Sequence, residues 1–118
     1  MKPFDLLERT AKFGEEIIEF AKKIPRTVVT TSLIVQLVKS GTSVGANYCE
    51  ADSAESRRDF EHKIGICKKE AKECIYWLRM ISKAVPEVAT EAKRLAQEID
   101  ELHRIFITSI KTSRGKEH

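Results

Sequence analysis

The chain of 118 residues has the length of one domain, which excludes a two-domain enzyme. Its residues are 42% hydrophobic and 33% charged with only 5 Gly and 3 Pro, a balance that points to a charged, helix-rich globule and away from a disordered chain or a β-sandwich. A net charge of +3, from 21 Lys and Arg against 18 Asp and Glu, permits nucleic-acid binding without the strongly basic signature of a dedicated binder.

At about 100° per residue, the segment from Pro3 to Ile24 sets Phe4, Leu7, Ala11, Gly14, Ile18 and Ala21 on one line and Leu6, Phe13, Ile17, Phe20 and Ile24 on the next. A helix near 4–24 is expected. Its apolar surface, about 200° wide, is twice what one core needs and calls for a second neighbour. Pro25 closes it, because the residue before a proline is pushed out of the helical region. Beyond the β-branched Thr27-Val28-Val29, a second helix is expected near 31–51, with Ser or Thr at 30 to 32 supplying its cap. The stretch Ser40-Gly41-Thr42-Ser43-Val44-Gly45-Ala46-Asn47 has the composition of an interhelical loop, since each Gly costs about 1 kcal/mol inside a helix. The i, i+4 spacing of Gly41 and Gly45 favours a helix with a bare strip that lets another backbone come close.

Ser56 followed by Asp59 is a helix-start signature. From there Phe60, Ile64, Cys67, Ala71, Cys74, Leu78, Ile81 and Val85 recur at steps of four and three, a heptad seam that predicts a helix over 56–84. Pro86 suits a first helical turn. A fourth helix near 87–111 carries Val88, Ala92, Leu95, Ile99, Leu102 and Phe106, and Lys111 to His118 is expected to be a frayed, charged tail. Four long helices with short connections specify an all-α, antiparallel up-down-up-down four-helix bundle, one domain over 1–118.

The surfaces left over suggest partners. Ile66, Trp77 and Met80 fall to one side of the third helix's seam. With the outer face of the first helix, represented by Phe13, Ile17 and Phe20, they are expected to form a self-association interface. The alternative places Trp77 and Met80 beside the core under the stems of Lys63 and Lys83. The opposite flank carries Arg58, Lys68, Lys69, Lys72, Arg79 and Lys83 with Tyr76 among them, a basic stripe able to track phosphates and offer a ring for stacking. Its alternative is a solvated face, and a structural interaction scaffold with no nucleic-acid partner is the competing function. Lys111, Arg114 and Lys116 add a basic end.

Chemistry is sparse. Asp59-x-x-His62 and Asp100-x-x-His103 point outward or to the flank rather than inward as di-iron ligands do, so no metal and no cofactor is expected. No catalytic triad spacing or P-loop occurs. Cys49, Cys67 and Cys74 form neither an even disulfide framework nor a C-x-x-C pair, so plain core thiols in a reducing cytoplasm are expected. No run of about 18 apolar residues is present to cross a membrane, and Met1-Lys2-Pro3-Phe4-Asp5 has no signal-peptide apolar region.

Three blocks in order, Ser43-Val44-Gly45-Ala46-Asn47 with Glu50, Ser56-Arg57-Arg58-Asp59-Phe60 with Lys63, and Lys69-Glu70-Ala71-Lys72-Glu73 with Tyr76-Trp77-Leu78, resemble the four-helix-bundle proteins encoded in bacterial 23S rRNA intervening sequences. Ala51 stands where that family often has Gly. The resemblance implies a ring, typically a homopentamer, with no established enzymatic activity and a suspected role with rRNA or another RNA or DNA. A related branch comprises accessory proteins of diversity-generating retroelements, which implies a polymerase as a further partner. Asn47 and Glu50 are expected either as a buried polar pair serving the Gly-rich segment or as a recognition site at a ring opening.

Overall fold

The computed structural model describes residues 5–115. They form α1 (Leu6–Lys22), α2 (Val28–Asp52), α3 (Arg57–Ala84) and α4 (Ala89–Gly115), the last entered through a 3-10 turn at Pro86–Val88. Each helix packs antiparallel on the next, α1 on α2, α2 on α3 and α3 on α4, while α4 closes back on α1 with wider backbone separation. The resulting bundle measures 52 × 27 × 18 Å.

Local caps set the boundaries. Helix α1 starts after Asp5, whose carboxylate accepts the Glu8 N–H at 3.3 Å; Phe4 lies outside the described residues. Helix α2 starts three residues before the expected position. Thr27 Oγ1 accepts from the Val29 and Thr30 amides, and Thr30 Oγ1 accepts from the Thr27 amide. This is a reciprocal cap with Thr in place of the usual Glu or Gln, so the β-branched stretch opens the helix instead of preceding it. At α3, Ser56 Oγ accepts the Asp59 N–H at 3.0 Å, as the motif predicts. Helix α4 outruns the expected end. Ile110 and Ser113 are buried, and Ser113 Oγ donates to Glu61 at 2.8 Å, so residues 111–115 are held helix and not a frayed tail. Lys116 lies outside the described residues.

The heptad seams form the core, with Ile64, Cys67, Ala71, Cys74, Leu78 and Ile81 of α3 facing Ala92, Leu95, Ile99, Leu102 and Phe106 of α4, all buried. One assignment is overturned. Phe13, Ile17 and Phe20 are buried within the single chain, at 1%, 0% and 0% exposure, because they share a helix line with Leu6 and Ile24, which the same core claims. The surplus apolar width of α1 falls on Leu7 and Ile18 instead, 40% and 42% exposed.

Between α1 and α2 the backbones nearly touch. A Cβ on Gly41 would lie 2.9 Å from two carbons of the buried Ile17 side chain, and one on Gly45 would lie 3.2 Å from the Thr10 carbonyl oxygen. Gly14, in α1, faces the Thr42 backbone at ordinary contact distance. The bare strip is therefore helical, and its function is close packing. Gly41→Ala is expected to lower stability by about 1–2 kcal/mol, an overpacking cost of about 1–3 kcal/mol reduced by the helix-propensity gain. At Gly65, a Cβ meets nothing within 4 Å, so Gly65→Ala is expected to raise stability by about 0.5–1 kcal/mol. Thermal unfolding checks the opposite signs, at about 4 °C for each kcal/mol.

Candidate nucleic-acid interface

Helix α3 is a 28-residue rod flanked by α2 on one side and α4 on the other. Its seam faces the core, and the residues half a turn away face solvent. Arg58, Lys69, Lys72, Tyr76, Arg79 and Lys83 all lie on that outer line and are exposed, while Lys68 leans towards α4 and is half-buried. From Arg58 to Lys83 the line runs about 38 Å. The structure thus brings the expected stripe together on one face.

Its charges are unspent. Ion pairs among the described residues engage Arg9, Lys22, Lys23, Lys63, Arg94, Arg104 and Arg114. None involves Arg58, Lys68, Lys69, Lys72, Arg79 or Lys83. Glu61, close to the start of the stripe, is already taken by Ser113 and by Arg114 at 3.3 Å. The local field registers on His103 of α4. Burial first holds it below the usual histidine range, and Lys68, Lys72 and Arg104 push the same way against the opposing pull of Asp100. Lys111 projects from the ordered end of α4, exposed and without an ion pair among the described residues.

Several acidic side chains are paired away from the stripe, while Asp59, Glu70 and Glu73 of α3 itself have no ion pair among the described residues. Along the α1–α4 edge Arg9 meets Glu98 at 2.8 Å and Glu101 at 3.2 Å, Lys23 meets Glu91 at 3.2 Å, and Arg94 meets Glu16 at 3.4 Å. The Arg9 guanidinium is held charged more firmly than usual, chiefly by its hydrogen bond to Glu98.

Trp77 is half-buried and packs against the core, its ring edge-on to Tyr76 with centroids 5.0 Å apart and planes at 80°. Ile66 and Met80 are half-buried on the same flank. Asn47 and Glu50 do not form a pair. Asn47 Nδ2 donates to the Ser43 carbonyl one turn back at 2.8 Å, and Glu50 is exposed and bridges to Lys63 of α3 at 2.6 Å. No cluster of three or more His, Cys, Asp or Glu side chains suited to a metal occurs among the described residues. An open cleft of about 720 Å³ lies where Leu6, Phe60, Ile105 and Thr108 meet. No helix among the described residues is long and apolar enough to cross a membrane.

The family model of the 23S rRNA-intervening sequence proteins matches residues 2–108. The chain belongs to this family. A protein of unknown function from the S23 ribosomal protein family of Bacteroides thetaiotaomicron, known from a crystal structure, is 29% identical to it. The two superpose with a TM-score of 0.80 over 90% of this chain and 98% of that one. No curated protein matches. In this 23S rRNA-intervening sequence protein the blocks that carried the resemblance are mostly joints of the bundle. Gly45 makes the α1 contact, Glu50 and Lys63 tie one block to the next across α2 and α3, Ser56 caps α3, and Leu78 is core. Ala51 is buried, and α2 continues through it to Asp52.

The thiols divide by burial. Cys67 and Cys74 are buried, and desolvation pushes both up to about 12. Cys49 is exposed, so the expectation of a core thiol fails there. Iodoacetamide near pH 8 is expected to modify Cys49 alone in the folded protein and all three thiols in denaturant, since only the thiolate reacts. Mass spectrometry of both reactions checks the count.

Proposed function

We propose that this 23S rRNA-intervening sequence protein is a non-enzymatic, homo-oligomeric nucleic-acid-binding protein that holds RNA or DNA along the outer face of α3. The observation that carries this reading is the alignment of Arg58, Lys68, Lys69, Lys72, Arg79 and Lys83 along one helix, none of them ion-paired among the described residues. Cations without protein partners keep their counterions, and their release is the driving term for binding a polyphosphate.

The exposed apolar groups support self-association. Leu7 and Ile18 of α1 and Val35 of α2, the last 59% exposed, lie on the outside of the α1–α2 hairpin. The half-buried Ile66, Trp77 and Met80 lie on a separate flank of α3. Two unlike patches suit a head-to-tail contact, the kind that closes into a ring. The family resemblance supports five copies, and a ring would repeat the basic face around its circumference.

Two measurements test the reading. Binding to RNA or DNA is expected to weaken steeply with salt. A variant with Lys69, Lys72 and Lys83 changed to Glu should bind far more weakly, with a log–log salt slope shallower by about 2 or more. Unchanged affinity in that variant removes the stripe as the interface. In light scattering, the wild type is expected at a multiple of the single-chain mass, and Ile18→Glu with Val35→Glu should return it to one chain with helicity intact. A wild type that is itself a single chain removes the assembly.

A further inference from the structure

We infer that the α3 face takes a single-stranded polynucleotide, with Tyr76 as a stacking platform for an unpaired base in the middle of the cation row. This rests on the nucleic-acid reading above and narrows it to one class of ligand.

The shape of the face argues against duplex. A helix reads a duplex by entering the major groove, roughly 12 Å wide. Helix α3 cannot enter one, because α2 and α4 pack along both its sides and leave only its outermost line raised. A duplex could touch that line only where its winding phosphate strands cross a straight rod. A single strand can instead be drawn out along the whole row, setting one phosphate after another against Lys69, Lys72, Arg79 and Lys83.

The aromatic group makes the second argument. Tyr76 sits between Lys72 and Arg79 on the outer line, 52% exposed. Burial cannot be the reason for so large an aromatic surface in the middle of a charged row. Against a duplex the ring would find only phosphate and sugar, since the base faces are covered by their neighbours. A single strand presents bare base faces, and stacking them on exposed aromatic rings is how sequence-tolerant strand binders gain affinity. The ring is also braced for it. Trp77, anchored against the core, forms a T-shaped pair with it at 5.0 Å, so the exposed ring has a fixed aromatic neighbour.

Trp77 is the only tryptophan of the chain, so the site carries its own reporter. The experiment measures anisotropy of labelled oligouridylate, oligothymidylate and a mixed-sequence DNA duplex with the wild-type protein, Tyr76→Ala, Tyr76→Phe and Lys72→Glu, alongside Trp77 emission. Both single strands are expected to bind more tightly than the duplex and to change the Trp77 emission. Tyr76→Ala should weaken single-strand binding about 5- to 150-fold, the equivalent of one base stack at about 1–3 kcal/mol, and leave duplex binding unmoved. Tyr76→Phe should retain the wild-type affinity, because the ring and not its hydroxyl is used. The RNA and DNA arms report which sugar the site takes, and Tyr76-dependent binding of either supports the inference. Equal affinity for duplex and single strand, or a Tyr76→Ala variant that binds single strands as well as wild type, overturns it. If Lys72→Glu then still weakens binding, the broader nucleic-acid reading stands alone; if no probe binds the wild type in a salt-sensitive way, both fall.

Discussion

The close crossing of α1 and α2 is the constraint on which the rest of the bundle depends. Gly14, Gly41 and Gly45 remove side chains where the two backbones meet, and Ile17 fills the space that Gly41 vacates. That contact fixes the rotation of α1 about its own axis. With Thr10 and Gly14 turned towards α2, the Phe13 and Phe20 rings are carried into the core and Leu7 and Ile18 are carried out to solvent. Small residues sit where helices are close and large ones where they are apart, as close packing at near-crystalline density requires.

Charge is distributed by the same geometry. The wide α1–α4 edge is bridged by long side chains in opposite pairs, Arg9 with Glu98 and Glu101, and Arg94 with Glu16. Such part-exposed pairs contribute little each, yet they engage Glu16, Glu98 and Glu101 on that edge. On α3 the basic side chains without an ion pair outnumber the acidic ones, which are Asp59, Glu70 and Glu73. A chain with a net charge of only +3 can therefore still present a row of cations along one helix, which the overall composition conceals.

Much of the fold was legible because heptad spacing reports burial directly. The α3 seam from Ile64 to Ile81 and the α4 seam from Ala92 to Phe106 are buried as the spacing says, and the outer line of α3 follows as their complement. The misassigned residues share one cause, which is that spacing gives the width of an apolar face but not which part of it meets a neighbour. Choosing between the Phe13 line and the Ile18 line needs the position of α2, and the Gly41 and Gly45 strip carried that signal without naming its partner. The early start of α2 was missed because Thr30 serves as the reciprocal capping group where Glu or Gln is usual. The hold on α4 beyond Lys111 depends on Glu61, more than fifty residues away in sequence, which no local pattern records.

The Glu61 contact also changes what the end of α4 is. Ser113 and Arg114 both reach this one carboxylate at the start of α3, so the last turn of the fourth helix is stapled beside the first turns of the third. Two helix ends that would otherwise open independently are joined, and the α3–α4 hairpin is fastened at its mouth as well as at Pro86. An extended strand lying on α3 from Arg58 onward would therefore start at a closed end of the hairpin rather than beside two separate helix termini.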